Sequence, residues 1–200
     1  MYSKPFLSIP AFLACLVVAY MAGATWLNYG EAPRPSDAVV LFVGQDYPER
    51  KKEAFQLLEE EYATRLLIPA LNQTFTRVDG KMKQTGCRNP NGIDRSSYPD
   101  YYENTHVEAL EAKKMMDNAG YTSAVLVSSP YHMRRISMIS KAVFQAGKYR
   151  LTFQGSRYVK ADGFFYLFRW SKIHEVFEEY IKIAGFYVYQ FYINNLPPKG

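Results

Sequence analysis

The chain contains little cysteine, with only Cys15 and Cys87 among 200 residues. Because Cys15 falls within an apolar N-terminal stretch, Cys87 stands alone in the remainder, and no intramolecular disulfide framework is available there. The sequence also lacks zinc-finger spacing, an RNA-binding signature and a Gly-x-Ser-x-Gly nucleophile elbow. The net charge of +5 comes from scattered lysines and arginines. Nucleic-acid binding is therefore not expected, and no spacing of acidic residues and histidines predicts a metal site.

Charged residues are absent from Pro5 to Gly30. Within this segment, Phe6 to Leu27 is long enough to cross the roughly 30 Å hydrocarbon layer of a bilayer as a helix. Trp26 and Tyr29 lie near its far end, where interfacial aromatic residues are common. The stretch is longer than the apolar region of an ordinary signal peptide, which favours a retained membrane anchor. A cleaved signal peptide is the alternative, because Ala22-Gly23-Ala24 resembles a cleavage site.

Three parts make up the predicted organisation of the chain. Residues 1–30 form the anchor or signal peptide, residues 31–36 form a short linker with two prolines, and residues 37–200 form one α/β domain. The charges that flank the anchor favour a single-pass topology with the domain on the outer side of the membrane.

The first predicted strand–turn–helix unit begins with the apolar run from Asp37 to Gly44. This run is typical of a central parallel strand, and its terminal glycine indicates that something approaches the backbone closely. Gln45 and Asp46 follow, and Asp46 is placed to cap a helix that has Arg50 near its start.

The second predicted strand–turn–helix unit runs from Ser123 to Arg135. Ala124 to Val127 is a β-branched, apolar run that predicts a strand buried on both faces. Ser129 is the natural N-cap of the following helix, and His132 lies in the first turn of that helix. Free N–H groups, the positive end of the helix dipole and nearby arginines such as Arg135 favour an anion at this helix start.

Other parts of the chain give weaker signals. From Leu71 to Tyr102 the periodicity is lost, which predicts a functional loop, a lid or an unrecognised element. Thr105 and Glu108 have capping-box spacing at the start of the next helix. The tail from Phe164 to Tyr192 predicts an amphipathic helix of about six turns that covers the sheet or, alternatively, lies on the membrane. Its predicted buried stripe consists of Trp170, Ile173, Phe177, Tyr180, Ala184, Tyr187 and Phe191.

The turns after the parallel strands should open at one edge of the sheet, where such folds bind ligands. We expect Arg50 and Arg135 to hold an anionic group there. His132 is predicted to act as a general acid or base, with a purely structural histidine as the alternative. The predicted ligand-binding residues are Gly44, Gln45, Asp46, Arg50, Asn104, Thr105, Ser128, Ser129 and Arg135, and the predicted catalytic residue is His132.

Between Asp37 and Tyr187 the chain resembles the bacterial ElyC/SanA/YdcF family. The resemblance rests on the strand that ends at Gly44, on Arg50, on the helix start Glu103-Asn104-Thr105 and on the run from Val127 to Arg135. It implies a three-layer, Rossmann-like fold with a mostly parallel sheet. It also implies a domain that faces the periplasm from the bacterial inner membrane and acts in the assembly of the cell envelope.

Three functional hypotheses follow from the residues and the resemblance together. The first is an enzyme that acts on a phosphorylated or polyprenyl-linked envelope intermediate, such as a peptidoglycan precursor. The second is a non-catalytic module that senses such an intermediate or docks an envelope synthase. The third is an S-adenosylmethionine-binding protein, because one cytoplasmic relative is reported to bind that compound.

Overall fold

The computed structural model describes residues 9–87, 92–159 and 168–195. Three predicted features extend beyond these ranges. The beginning of the apolar stretch at Phe6, a part of the segment from Leu71 to Tyr102 and the beginning of the tail helix at Phe164 lie outside the described residues.

Six strands form one sheet. They are β1 (Ala38–Leu41), β2 (Arg65–Ile68), β3 (Gln73–Val78), β4 (Lys81–Cys87), β5 (Ser123–Ser128) and β6 (Arg150–Gly155). Their order across the sheet is β4-β3-β2-β1-β5-β6. Strands β2, β1, β5 and β6 are parallel to one another, whereas β3 and β4 pair in the antiparallel sense. The predicted α/β class with a mostly parallel sheet is therefore confirmed.

Five α-helices accompany the sheet in the described part of the chain. They are α1 (Ile9–Leu27), α2 (Tyr47–Glu59), α3 (Asn104–Ala119), α4 (Met133–Val143) and α5 (Trp170–Asn194). A single 3-10 turn, Pro130–His132, connects β5 to α4. The predicted helix after Ser129 thus begins with a 3-10 turn and becomes α-helical at Met133.

Helices cover both faces of the sheet, which makes the domain three-layered. On β1, Val39 and Leu41 pack in the cluster that includes α2, whereas Ala38 and Val40 pack in the cluster that includes α3, α4 and α5. Strand β5 alternates in the same way. Burial on both faces explains why these strands appear in the sequence as continuous apolar runs.

The sheet reverses its direction of growth between β1 and β5. The chain passes from β1 through α2 to β2 on one side, and later returns through α3 to β5 on the other side. Leu41 near the end of β1 pairs in register with Val127 near the end of β5. A reversal of this kind opens a crevice at the carboxyl ends of the two strands.

A β-hairpin occupies much of the segment for which a loop, a lid or an unrecognised element was predicted. Strands β3 and β4 pair through a two-residue turn at Asp79 (φ 50°) and Gly80 (φ 73°), and β3 extends the sheet beside β2. Two consecutive positive φ angles are typical of a type I′ turn. Of the three interpretations, the unrecognised element is the correct one for residues 73–87.

Helix α5 is rotated relative to the prediction. It buries Val176, Glu179, Ile183 and Phe186, whereas Phe177 of the predicted stripe is 61% exposed. Trp170, Tyr187 and Phe191 of that stripe are also exposed. The prediction that this stripe covers the sheet is wrong, because the row that contains Glu179 faces the domain instead.

Within the described residues, α1 is the one helix that is long and apolar enough to cross a membrane, a test that a signal sequence would also pass. Most of its side chains are exposed, but its last turns pack on the domain through Ala24 and Leu27. The guanidinium of Arg134 lies 4.5 Å from the ring centres of both Trp26 and Tyr29. Helix α1 is therefore fastened to the domain at its C-terminal end.

Candidate functional site

A cavity of about 210 Å³ opens at the carboxyl ends of β1 and β5. Its wall is built by the turn after β1, by α2, α3 and α4, and by the N-terminal half of α5. Seven of the predicted site residues line it, namely Gly44, Gln45, Arg50, Thr105, Ser128, His132 and Arg135. The site therefore lies at the reversal point of the sheet, where the strand ends converge.

Three predicted site residues do not line this cavity. Asp46 and Ser129 are hydrogen-bonded to each other, and Ser129 contacts Arg50. Asn104 instead lines a neighbouring cavity of about 320 Å³, which shares Val43 and Glu108 with the first. We call the first cavity, of about 210 Å³, the inner cavity and the neighbouring one, of about 320 Å³, the outer cavity.

Arg50 is the most deeply buried cation in the wall of the inner cavity, with 2% of its surface exposed. Its Nε donates to Ser129 Oγ at 2.8 Å, and its Nη1 donates to the carbonyl oxygens of Phe42 and Val43 at 3.2 and 2.8 Å. Its Nη2 is buried and has no partner among the described residues. Arg50 thus presents one unused donor in a wall of the cavity.

The hydroxyl of Ser129 links Arg50 to an acidic group. It accepts from Nε of Arg50 and donates to Asp46 Oδ2 at 2.6 Å, and the hydroxyl of Tyr131 donates to the same oxygen at 2.7 Å. Burial would raise the pKa of Asp46, but these hydrogen bonds outweigh it and hold the pKa below its ordinary value. Asp46 and Ser129 occupy the predicted N-cap positions of α2 and of the 3-10 turn, but neither makes a capping hydrogen bond with its side chain.

Arg135 is already neutralised by acidic side chains. Its Nε and Nη2 donate to the two carboxylate oxygens of Glu179 at 2.8 and 3.0 Å, and its Nη1 donates to Glu103 and to Thr105 Oγ1. Arg50 and Arg135 therefore differ in what they can offer an anion. The hydroxyl of Thr105 is used by Arg135, and the predicted capping box with Glu108 does not form, since Glu103 occupies the N-cap position of α3.

His132 lies beside the same carboxylate. Its Nδ1 is 2.9 Å from Glu179 Oε1, but the two groups are not aligned as a hydrogen bond. Burial lowers the pKa of His132, and the proximity of Glu179 opposes this effect without reversing it. Burial would raise the pKa of Glu179, yet His132 and Arg135 lower it to about 2. A neutral imidazole at pH 7 is able to accept a proton.

Glu108 lines both cavities and was missed as a site residue. It is 7% exposed, and its Oε2 accepts a hydrogen bond from the backbone N–H of Val43 at 3.1 Å. Burial raises the pKa of Glu108 to about 7, although Arg50 and Arg135 act in the opposite direction. The sequence could have identified Glu108, because it places an acidic residue one helical turn before the buried Ala112, on the face where apolar side chains are expected.

The carboxylates that α5 contributes were also missed. Each has a basic partner: Glu175 pairs with Lys172 at 2.6 Å, Glu178 pairs with Lys182 at 3.1 Å, and Glu179 pairs with Arg135. The sequence could have identified Glu179, because it lies three residues after Val176 and four before Ile183 and therefore shares a helix face with these apolar residues. Among the described residues, Arg50 is the cation of the inner cavity that has no carboxylate within salt-bridge distance.

In the part of the chain that the structure describes, no group of three or more His, Cys, Asp or Glu residues is placed to hold a metal ion. His106 does not line the inner cavity: its ring packs against Phe186 and Tyr189, and its Nδ1 accepts a hydrogen bond from the backbone N–H of Tyr102. Comparisons with protein-family models, with curated proteins and with solved structures found no match to this chain.

Proposed function

We propose that the domain binds the anionic group of a small molecule in the inner cavity, with phosphate as the best fit. The observation that carries this proposal is the buried, unpartnered Nη2 of Arg50. The hydroxyl of Ser128, which is also buried, unpartnered and part of the cavity wall, supports it. A buried polar group without a partner costs about 1–3 kcal/mol, so both groups gain when a ligand oxygen reaches them.

The size of the cavity limits what it encloses. Its volume of about 210 Å³ is below the roughly 300–1,000 Å³ that is usual for pockets of drug-sized ligands. We infer that the anionic group and its nearest atoms are enclosed, while the remainder of the ligand extends outward past Glu108. A sugar phosphate or the phosphate end of a lipid-linked intermediate has this two-part character.

S-adenosylmethionine is the second ligand to consider, because the family resemblance makes it a candidate cofactor. Arg50 suits its carboxylate, and Glu108 suits its amino group. The inner cavity is too small to enclose the whole molecule, so its adenosine would have to extend outside. Phosphate-bearing molecules are therefore the stronger candidates.

Two titratable groups in the wall support an enzyme rather than a binding module. His132 is held neutral by burial, and Glu108 is shifted toward neutral pH, so one can accept and the other can donate a proton. Replacing His132 by Gln should abolish turnover or function in the cell while ligand binding persists. A sensor or docking module should tolerate this change wherever binding is retained.

The ligand proposal is tested with Arg50→Lys and Arg50→Met in the full chain in detergent. The probes are inorganic phosphate, a nucleoside diphosphate, a short-chain polyprenyl phosphate and S-adenosylmethionine, each followed by thermal shift. Arg77 provides a matched control, because it also donates to two backbone carbonyls, those of Leu58 and Glu59, but lines neither cavity.

We expect phosphate-bearing probes to raise the unfolding temperature of the native chain and of Arg77→Met, but not of Arg50→Met. Arg50→Lys keeps a positive charge at the site while losing the planar fork, so it should retain a weaker shift. Equal shifts in the native chain and in both Arg50 variants would refute the proposal. A shift with S-adenosylmethionine alone would replace phosphate by that ligand.

The resemblance to the ElyC/SanA/YdcF family supports a location for this activity. We propose that α1 anchors the chain in the bacterial inner membrane, that the domain faces the periplasm, and that the ligand is an intermediate of envelope or peptidoglycan synthesis. The length and apolar character of α1 support the anchor. Alkaline phosphatase fused to the C-terminus should be active, since that enzyme requires export, and an inactive but intact fusion would contradict this topology.

A further inference from the structure

The outward side of α5 is an unbroken apolar surface. Between Glu175 and Tyr192 the most exposed residues are all apolar or aromatic, and the charged side chains of Glu178 and Lys182, which are 46% and 36% exposed, border them. We call this surface the outer face, and it consists of Phe177, Ile181, Ala184, Tyr187, Val188, Phe191 and Tyr192. The exposed fractions of Ile181 and Phe191 are 69% and 72%. A contiguous patch of this kind marks an interaction surface.

The charged residues in this part of α5 lie beside the outer face, on the flank of the helix that turns toward the inner cavity. Glu175, Glu178 and Lys182 line the inner cavity together with the buried Glu179. From Ile183 to Asn194 the helix has no charged residue. These charges pair with one another and with Arg135 beside the cavity, so the outer face itself carries none of them.

The outer face is continuous with the surface of α5 that holds α1. Tyr180 donates from its hydroxyl to the carbonyl oxygen of Gly23 at 2.9 Å, and its ring stacks on that of Trp26. On a helix with about 3.6 residues per turn, Tyr180 borders both Phe177, three residues before it, and Ala184, four residues after it. Tyr180 therefore lies at the boundary between the outer face and the contact of α5 with α1.

Helix α1 continues this apolar surface away from the domain. Its side chains from Ile9 to Val18 are exposed, with Val18 at 67%. The end of α1 is fixed by the stacking of Arg134 on Trp26 and by the cluster that joins Leu27 to Ile183. A bilayer that accommodates α1 therefore meets α5 at its apolar flank.

We propose that the outer face of α5 lies in the interfacial layer of the same bilayer that α1 enters. Its phenylalanine, isoleucine and valine side chains suit the boundary of the hydrocarbon, and the hydroxyls of Tyr187 and Tyr192 suit the headgroup level. This inference rests on the proposed anchoring by α1. It places the inner cavity, which α5 helps to build, close to the membrane surface, where a lipid-linked phosphate would be found.

The test uses the full chain in vesicles of phosphatidylcholine and phosphatidylglycerol, with an environment-sensitive fluorophore on a single cysteine. Ala184→Cys, in a background in which Cys15 and Cys87 are replaced, places the label on the outer face. Glu59→Cys in the same background is the control, because Glu59 is exposed on α2. The native Cys15, exposed on α1, reports on the anchor when Cys87 alone is replaced.

We expect a nitroxide on the lipid acyl chain to reduce the emission of the label at residue 184 by about half, and aqueous iodide to have little effect. The label at residue 59 should respond in the opposite way. If Cys15 is quenched by the lipid while residue 184 is as open to iodide as residue 59, the inference is overturned although the anchor stands.

Two further outcomes would also overturn the inference that the outer face lies in the interfacial layer of the bilayer. Shielding of residue 184 from iodide without quenching by the lipid, lost when the protein is diluted in the vesicles, would mean that a second copy covers the outer face. Absence of lipid quenching at Cys15 would remove the anchor, and the inference with it. The proposal for phosphate binding is independent of all three results, because thermal shift tests it separately.

Discussion

Gly44 and Arg50 approach each other so closely that a Cβ atom at residue 44 would lie 2.5 Å from Nη1 of Arg50. The same guanidinium is held by the carbonyl oxygens of Phe42 and Val43, at the end of the strand. The glycine thus permits the backbone to wrap around a buried cation. The expectation that something approaches the backbone at Gly44 is met by a side chain of the protein itself.

Gly44→Ala should displace the guanidinium and weaken phosphate binding at least about tenfold, or 1.4 kcal/mol. Overpacking at this buried point should also lower the free energy of unfolding by about 1–3 kcal/mol. Gly86→Ala is the control, because its Cβ would be 3.6 Å from Thr74, an ordinary contact. Phosphate titration and urea unfolding measure both effects, and an unchanged affinity in Gly44→Ala would contradict the role given to Arg50.

Ser128→Ala separates stability from binding. The hydroxyl of Ser128 is fully buried and has no partner among the described residues. Removing it should leave the unliganded protein equally stable or more stable by about 1 kcal/mol. Phosphate binding should nevertheless weaken, because a donor in the cavity is lost. A loss of stability with unchanged binding, measured by the same titrations, would assign Ser128 to the core instead.

The sequence predicted best where one local rule dominated. Continuous apolar runs predicted β1 and β5, and the convergence of parallel strand ends brought Arg50, Ser128 and His132 to one cavity. The hairpin was missed although Asp79-Gly80 is a strong turn signal, because its strands are polar and lie toward the edge of the sheet.

Buried charges were harder to predict because their burial depends on partners that are distant in sequence. Glu179 is buried by a bidentate contact with Arg135, 44 residues before it. The periodicity of α5 favoured its aromatic stripe, since hydrophobicity alone assigns the largest apolar side chains to the interior. The ion pair and the contact with α1 set the rotation of the helix instead.

Glu108 should make both stability and binding depend on pH. Its pKa is raised from an ordinary 4.5 to about 7, so the folded state holds the proton of Glu108 more tightly than the unfolded state does. The stabilisation that results is fully present below about pH 4.5 and is lost as the pH rises through 7. The charged groups that act on it are Arg50 and Arg135, which lower the pKa, and Glu103, which raises it. Glu108→Gln should therefore be more stable than the native chain at pH 8 by about 2–3 kcal/mol, and similar to it at pH 5.

The same change should alter the pH dependence of anion binding. Sulfate, which keeps its charge between pH 6 and pH 8, should bind the native chain more tightly at pH 6, where Glu108 is neutral. Glu108→Gln should bind it with nearly equal affinity at both values, whereas Glu111→Gln, on the same helix but outside the cavity, should behave as the native chain. Calorimetric titration decides this, and a pH dependence retained in Glu108→Gln would assign it to another group such as His132.

Glu179 should stabilise the fold across the neutral range and lose that effect in acid. Its pKa is lowered from 4.5 to about 2, so its contribution of about 3 kcal/mol is present above pH 4.5 and disappears as the pH falls toward 2. Glu179→Gln should remove this pH dependence. At pH 7 it should cost about 3–5 kcal/mol, because Arg135 keeps its burial and loses its main partner.

Glu178→Gln is the matched control for this prediction. Glu178 pairs with Lys182 and its side chain is 46% exposed, so its replacement should have little effect on the free energy of unfolding. The double variant Arg135→Met/Glu179→Met removes both charges of the buried pair and should be more stable than Glu179→Gln. Thermal unfolding between pH 2 and pH 7 measures all three variants. If Glu179→Gln unfolds in acid with the profile of the native chain, the buried pair does not hold α5 against the cavity.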